Sequence, residues 1–556
     1  MFAEPFFGSY EVVKPALKSI GLRYWMLRVL EECDNVATDF RADPVHDLRV
    51  SLRRCRSLAD GMKAMDPDRD WKAMKKAGKK LFQSLGSLRD VQIMMEWIDK
   101  LHVAPEDVER DRTVESSSPE SRESEANFIA PVDPARGPAS AHNPAAMLLH
   151  ILKGRESEQK QLARVALEEF DRKQWRQWAK SLPIRATRIR PGSSVFKHLA
   201  LERWTAAREL HTRALRNRSQ VSIHALRIGI KRFRYIVENF LPEEHKLWGD
   251  DLKHMQDLLG EVHDLDVLWN TAISCHIFPD EDSKQDWHRR IHKERAKRLE
   301  AYRQKTTGPD SRWNVWRSSL PQGKQIHEFA TRRMKLWAKV LDPDFAHSER
   351  VARLALELYD GLTTTGLFPG LFHNGAGNEA RNSLYAAALL HDVGKVKGNK
   401  GHHKESLELI KQHGTPLGWN PETMARAATV ARFHCGALPT RSHRNLRDLL
   451  PSEQRVIICL AAILRLANAL DAYHDGRIRK IKIENSAVST SPRRRGKNGF
   501  LRKPPGLGKN EALVIAAEGY ADGTATAQAV AAERYLLETV LRRPVMVRRF
   551  RSEANR

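Results

Sequence analysis

The sequence predicts a mainly α-helical protein, with a duplicated helical-bundle domain, a second all-α domain and a small α/β appendage near the C-terminal end. Three observations predict this architecture. A basic phrase occurs twice in the first half of the chain, apolar helical runs precede a series of His and Asp residues in the second half, and three strand-like segments follow them. Because 556 residues exceed what a single hydrophobic core holds, two or three domains are expected.

The duplication rests on two phrases that recur in the same order. VHDLRVSLRRCR at 45–56 is followed by LGSLRDV at 85–91, and IHALRIGIKRFR at 223–234 is followed by LGEVHDL at 259–265. Repetition of both phrases at a similar separation indicates a duplicated structural unit.

Each copy of the first phrase predicts an amphipathic helix with a polar face of one sign, because offsets 0, 3, 7 and 10 share one side of a helix. The two stripes are His46, Arg49, Arg53 and Arg56, and His224, Arg227, Lys231 and Arg234. Like charges one turn apart repel, and nothing within the stripes balances them. A solvated surface would explain one such stripe, but its repetition indicates a polyanionic partner held in a basic groove, where the field on anions is focused.

The repeated phrases resemble the CHAD domain, the conserved-histidine α-helical domain, over residues 5–305, with halves at about 5–102 and 146–305. This resemblance implies a two-half helical bundle that binds inorganic polyphosphate in a central basic cavity. The residues expected to bind polyphosphate are His46, Arg49, Arg53, Arg54, Arg56, Lys79, Arg89, His224, Arg227, Lys231, Arg232, Arg234, Lys253 and His263. The chain departs from the pattern at His263, which stands where the first half has Arg89, and in an acidic, Ser/Pro-rich linker at 103–145 that reads as disordered.

The second half carries an ordered series of metal-ligand types. His347 is followed by the run His391-Asp392-Val393-Gly394-Lys395, then by His402-His403, His434 and Asp471. Neutral imidazoles and carboxylates are ligands for divalent transition metals. Apolar helical runs at 384–390 and 460–464 are expected to hold these ligands rigidly.

This series, centred on His-Asp-x-Gly-Lys, resembles the HD phosphohydrolase superfamily, in a domain expected at 320–485. The segments 401–406 and 461–471 are most similar to the HD domain on the C-terminal side of the exopolyphosphatase/guanosine-pentaphosphate phosphatase family. In that family, chain hydrolysis is attributed to a preceding actin-like domain. No strand and helix alternation with glycine-rich phosphate loops is found here, so any catalysis is expected at the HD site.

Metal chemistry assigns a role to each ligand, with one or two ions of Mn²⁺, Mg²⁺ or Fe²⁺. The first ion is expected on His347, His391, Asp392 and Asp471, and Asp392 would bridge to a second ion on His434 and one or both of His402 and His403. Such a centre activates water for in-line attack on phosphorus. Asp392 is therefore a predicted catalytic residue, as is Lys395, which is placed to neutralise developing phosphate charge.

The appendage is expected at 478–552. Strand-like segments at 478–483, 512–517 and 545–550 flank one amphipathic helix at 524–542, as the same resemblance implies. A Gly/Pro-rich basic loop at 493–509 is assigned no role beyond anion contact.

Composition narrows the compartment and the partner. A formal net charge of +25 favours an anionic partner, which could be polyphosphate, nucleic acid or an acidic membrane surface. Nucleic acid stays open as a partner, although no aromatics interleave the basic stripes for base stacking.

Five cysteines without Cys-x-x-Cys spacing argue against a disulfide framework or a cysteine zinc site. With no signal peptide and no long apolar run, a cytoplasmic protein without membrane association is expected.

Two functions from different classes therefore remain. The first is a metal-dependent phosphohydrolase that binds polyphosphate and acts on polyphosphate or on a phosphorylated nucleotide. The alternative is a non-catalytic protein of polyphosphate granules whose HD domain is a scaffold.

Overall fold

A computed structural model of the chain confirms the mainly α fold with its small α/β part. The structure describes residues 21–38, 40–102, 143–366, 376–484 and 512–550. The predicted linker up to residue 142 and the basic loop at 493–509 lie outside the described residues. The chain divides into two compact units, the first ending at Pro321 and the second beginning at Gln322.

The described part of the first unit is built from helices. They are α1 (Leu22–Thr38), α2 (Ala42–Met62), α3 (Arg69–Ala77), α4 (Lys79–His102), α5 (Pro144–Glu168), α6 (Arg172–Ala186), α7 (Ser194–Asn217), α8 (Gln220–Phe240), α9 (Pro242–Ser274), α10 (Glu281–Thr306) and α11 (Arg312–Ser318). The two copies of the basic phrase lie on α2 and α8, and the two copies of the second phrase lie on α4 and α9.

The duplicated helices pack against each other, α2 on α8 and α4 on α9. Their apolar faces are buried, as Leu48 and Leu52 illustrate on α2. A glycine allows the close approach of the two halves, because a Cβ built on Gly61 would lie 2.1 Å from Cε2 of Phe240 at the end of α8. The basic sides of α2 and α8 are thereby brought to one region of this unit.

The second unit is also mainly helical. Its described elements are α12 (Lys324–Leu341), α13 (Phe345–Thr364), α14 (Ala376–Leu390), a 3-10 turn (Val393–Lys397), α15 (His402–His413), α16 (Pro421–Arg432), α17 (Pro451–Leu470), β1 (Ile481–Glu484), β2 (Leu513–Ala517), α18 (Ala525–Leu541) and β3 (Val545–Arg549). Helix α17 is almost entirely buried and packs against α13, α16 and α18. Both apolar runs noted in the sequence, on α14 and α17, lie in this core.

The appendage is a three-stranded sheet in the order β1-β2-β3. Strand β1 pairs antiparallel with β2, and β2 pairs parallel with β3 after the crossover helix α18. The first strand begins at Ile481, three residues later than predicted. Before it, the carbonyls of Ile478 and Arg479 accept hydrogen bonds from the guanidinium of Arg353. Within the described ranges, no helix has the length and apolar character needed to cross a membrane.

Candidate metal centre and basic cluster

His391 and Asp392 lie in the turn that follows α14, and α15 fixes that turn in place. The hydroxyl of Ser406 donates to the carbonyl of His391 over 2.6 Å and accepts from the backbone N–H of Gly394 over 2.9 Å. A Cβ on Gly394 would lie 2.1 Å from the carbonyl oxygen of His402. The His-Asp-x-Gly-Lys motif thus needs its glycine because the turn lies directly on the start of α15.

Three histidines of the centre share one hydrogen-bond pattern. Nδ1 of His391 lies 2.8 Å from the carbonyl of Ala388, Nδ1 of His402 lies 2.8 Å from that of Asn399, and Nδ1 of His434 lies 2.7 Å from that of Ala431. A carbonyl oxygen only accepts hydrogen bonds, so each Nδ1 must carry the proton. In the neutral ring, Nε2 then carries no proton and has a lone pair that can bind a metal ion, which is the state of a metal-ligating imidazole.

The Nε2 atoms converge on Asp392. Nε2 of His402 lies 3.0 Å from Nε2 of His434 and 3.2 Å from Oδ1 of Asp392. Nε2 of His434 is 3.7 Å from the same oxygen. Nε2 of His391 is buried without a hydrogen-bond partner, 3.4 Å from Oδ2 of Asp392. Three Nε2 atoms around one buried carboxylate match the ligand set of a divalent cation, which would take the place of the proton that His402 donates to Asp392.

His347, on α13, completes a second group with His391 and Asp392, whose ligand atoms lie within 4.8 Å of one another. Nδ1 of His347 is 2.8 Å from Oδ2 of Asp471, and its Nε2 is 2.9 Å from Oδ1 of Asn468. Arg350 donates to the same Oδ2 of Asp471 over 2.9 Å. Asp471 contacts His347 directly, but it does not belong to the groups of converging ligand atoms in the described residues.

The electrostatics of the centre favour an anionic Asp392. Burial alone would raise its pKa, but the neighbouring histidines and the ammonium of Lys395, 2.5 Å from Oδ2, hold the pKa far below its ordinary value. The hydrogen bond from His402 to Asp392 raises the pKa of His402 to about 10. Burial lowers the pKa of both His391 and His434. Asp392 is therefore an anion shared by both groups of ligand atoms.

Several residues of this centre were not predicted. Cys435 places its Sγ 3.6 Å from Nδ1 of His403, and the ring of His474 stacks on that of His347 with centroids 3.8 Å apart. The buried guanidinium of Arg465, on α17, donates to the carbonyls of Phe433 and Gly436 on either side of His434 and Cys435. Adjacency of Cys435 to His434 was the one sequence signal, and a single cysteine is too common to be informative.

In the first unit, the two copies of the repeat form the same arginine–glycine contact. Arg49 donates to the carbonyls of Leu85 and Gly86 over 3.2 and 3.3 Å. A Cβ on Gly86 would lie 3.9 Å from Arg49, and one on Gly260 would lie 4.0 Å from Arg227. The Leu-Gly of the second phrase therefore provides the surface on which the arginine of the first phrase rests.

Cations from both halves gather in one basic cluster on α2, α4, α8 and α9. Burial, followed by repulsion from Arg227, Arg53 and Arg49, lowers the pKa of Lys231 to about 8. The cationic ends of Arg53 and Lys231 each lie 5.9 Å from the ring centroid of Tyr235. The sequence predicted no aromatic ring among the basic stripes, but Tyr235 lies there. Two cations already lie near its ring, at the place where a nucleic-acid base would stack.

Two carboxylates also lie among these cations, one from each half. Burial raises the pKa of Asp90, and it raises that of Asp264 to about 6 with a further contribution from Asp90. Both occupy the same position of the second phrase, a signal that the sequence contained and that our list of binding residues omitted.

The predicted polyphosphate-binding residues separate by place. The residues that interact electrostatically with one another in the basic cluster are His46, Arg49, Arg53, Arg89, His224, Arg227, Lys231, Arg234 and His263. Arg54 and Arg234 pair with Glu238 and, with Lys253, line a neighbouring cavity of about 430 Å³. Arg56 donates to the carbonyl of Lys75 over 2.8 Å, while Lys79 and Arg232 are exposed.

Two family models match this chain, each over less than half of it. Residues 26–272 match the CHAD domain, and residues 330–511 match domain III of the Ppx/GppA phosphatases. No curated protein matches the chain. The first match includes the duplicated helices and the basic cluster, and the second includes His347, the His-Asp turn and Asp471.

Proposed function

We propose that this chain is a divalent-metal-dependent phosphohydrolase that binds inorganic polyphosphate through its first unit and hydrolyses polyphosphate or a phosphorylated nucleotide at its second. The observation that carries the catalytic part is the shared hydrogen-bond pattern of His391, His402 and His434, which leaves Nε2 of each ring directed at Asp392. The two family matches, to a CHAD domain and to a phosphatase domain, favour phosphate chains as the substrate class.

The second unit supplies two candidate positions for ions that share Asp392. His347, His391 and Asp392 would hold one, and Asp392, His402 and His434 would hold the other. A bound divalent ion lowers the pKa of a coordinated water and neutralises phosphoryl oxygens. Asp471 orients His347 through its hydrogen bond to Nδ1, a common arrangement around metal-ligating histidines.

Lys395 is the residue placed to contact substrate. Its ammonium is paired with Asp392 and remains partly exposed, so it lies at the boundary between the buried ligands and solvent. A cation at this place stabilises the charge that develops on a phosphoryl group during transfer. In this proposal Asp392 organises the centre and Lys395 binds the phosphoryl oxygens.

The first unit would bind polyphosphate through its basic cluster. Arg49 and Arg227 are held by the repeat itself, and Arg53 and Lys231 add charge from both halves. Desolvated cations that repel one another gain most from an anion that passes between them. A polyphosphate partner would therefore explain why the basic stripes on α2 and α8 contain no acidic residues.

The test is phosphate release by the purified full-length chain with Mn²⁺ or Mg²⁺, on long-chain polyphosphate, nucleotides and guanosine penta- and tetraphosphates. The expected result is metal-dependent release that is lost in Asp392→Asn, while polyphosphate binding is unchanged. Asp448→Asn is the matched control, since Asp448 is exposed and lies outside the centre. Bound metal without release from any compound would contradict the proposal.

A second candidate is the granule-binding protein with a scaffold HD domain. It is favoured by the engagement of Asp471, whose two oxygens accept hydrogen bonds from His347, Arg350 and the backbone of Gly476. A carboxylate used in this way has less capacity to bind an ion. Polyphosphate binding and granule localisation without any phosphate release would select this candidate.

A further inference from the structure

A third group of ligand atoms lies beside the Asp392 centre and contains a thiol. Sγ of Cys435 is 3.6 Å from Nδ1 of His403 and 3.8 Å from Nε2 of His402, and all three residues are partly exposed. Two ligands on one tetrahedral zinc ion, at the usual Zn–N and Zn–S lengths, are separated by about 3.6 Å. The two S···N distances are therefore close to those of a formed site.

The surrounding structure fixes this group from both sides. Arg465 donates to the carbonyls of Phe433 and Gly436 over 3.1 and 3.2 Å, which holds the segment that carries Cys435. Gly436 has a φ of +72°, and a Cβ there would lie 3.5 Å from the ring of His403. The imidazole of His403 thus lies over a residue that must be glycine for conformational reasons.

We infer that His402, His403 and Cys435 bind a thiophilic divalent cation such as Zn²⁺. The inference rests on the proposed function in one respect, because His402 also belongs to the group with Asp392 and His434. Soft thiolate ligands select Zn²⁺ or Co²⁺ over Mg²⁺. On binding, the Cys435 S–H bond is broken, the sulfur–metal bond forms, and the proton passes to solvent.

Sharing of His402 makes the two groups interdependent. Its Nδ1 donates to Asn399, so only Nε2 is available as a ligand, and that atom lies near both Cys435 and His434. A cation held by Cys435 and His403 therefore competes with the Asp392 group for this nitrogen. A thiophilic ion bound by His402, His403 and Cys435 would therefore remove one ligand from the group around Asp392.

The test is titration of the full-length protein with Co²⁺, read as the near-ultraviolet thiolate-to-cobalt charge-transfer band and as bound metal per chain. The expected result is a band that is absent in Cys435→Ser, weakened in His403→Ala and unchanged in Cys275→Ser, a partly exposed cysteine of the first unit. Zn²⁺ should abolish the band and excess Mg²⁺ should leave it.

The outcomes separate this inference from the proposed function. Cobalt bound without the band, or a band that persists in Cys435→Ser, overturns the thiolate site and leaves the Asp392 centre intact. Absence of bound cobalt overturns both. If Cys435→Ser does not fold, the His403→Ala variant decides, because His403 is partly exposed on α15 and an undiminished band there overturns the inference.

Discussion

At the scale of single residues, the candidate metal centre depends on the two different nitrogens of histidine. Ala388 and Ala431 lie in the last turns of α14 and α16, where backbone carbonyls lack helical partners. The rings of His391 and His434 donate Nδ1–H to the carbonyls of Ala388 and Ala431 and present Nε2 to the centre. Helix ends thereby determine which nitrogen is free, without a further side chain.

The carboxyl of Asp264 should make polyphosphate binding dependent on pH. Burial raises its pKa from 3.8 to about 6, so its contribution to stability is fully present below pH 3.8 and is lost progressively as the pH rises to about 6 and above. Asp264→Asn should therefore stabilise the free protein by on the order of 2 kcal/mol at pH 7.5 and by about half as much at pH 5, where the unfolded carboxyl is ionised and the folded one is protonated. Thermal unfolding at both pH values measures this difference.

The same titration should appear in binding. Because an ionised Asp264 opposes an anion, the affinity of the natural protein for polyphosphate should rise several-fold between pH 7.5 and pH 5.5. In Asp264→Asn this rise should be smaller, whereas Asp99→Asn, an exposed change on α4, should keep the natural profile. Identical pH profiles for all three proteins would show that Asp264 does not lie at the polyphosphate-binding site.

At the scale of elements, the contact between the 3-10 turn and α15 positions four ligands. Gly394→Ala would bring a Cβ to 2.1 Å from the His402 carbonyl and 2.6 Å from the backbone nitrogen of Ser406. Backbone atoms cannot move aside separately, so α15 must shift. We expect a loss of about 2–3 kcal/mol in stability and weaker metal binding, measured by thermal unfolding and metal analysis.

The control for this prediction is Gly154→Ala in the middle of α5. A Cβ there meets no atom within 4 Å, so the change should be neutral or stabilising by about 0.5–1 kcal/mol. A Gly394→Ala protein with natural stability and metal content would show that the turn and α15 are not tightly coupled.

Arg465 connects the appendage helix to the metal centre. Its Nε donates to Glu533 of α18 over 2.6 Å, while its other nitrogens hold the carbonyls around His434. Arg465→Met should cost about 3 kcal/mol, because it leaves these groups without their buried partner. Adding Glu533→Gln should recover part of that loss in a double-mutant cycle measured by chemical unfolding. Strictly additive losses would show that the pair is not coupled.

The elements were predictable where local pattern decides them. The helices of the repeat and the strands of the appendage follow from periodicity, and the His/Asp series contains the side chains that the structure brings together around Asp392. Contacts that depend on packing were not predictable, such as Cys435 with His403, which needs α15 beside residues 433–436. Arg56 was assigned to polyphosphate because it lies on the stripe, but it donates to a carbonyl in the last turn of α3.

At the scale of the whole molecule, one chain joins a candidate polyphosphate-binding unit to a candidate hydrolytic unit. Tethering raises the concentration of a held substrate near a second site on the same chain. The benefit applies to a substrate long enough to occupy both sites and not to a small one. Substrate length is therefore the variable that distinguishes delivery by the first unit from a purely structural role.

The corresponding prediction uses Arg53→Gln with Lys231→Gln in the full-length protein. Burial and neighbouring arginines already lower the pKa of Lys231, so removing these charges relieves repulsion and should not unfold the first unit. Hydrolysis of long polyphosphate at limiting concentration should fall about tenfold or more, with a shallower salt dependence. Hydrolysis of a small phosphorylated substrate should be unchanged.

The control is Arg176→Gln with Arg213→Gln, at two exposed positions on α6 and α7. It removes the same charge and should affect neither substrate. Equal losses on both substrates would mean that the first unit supports folding of the chain and does not deliver substrate.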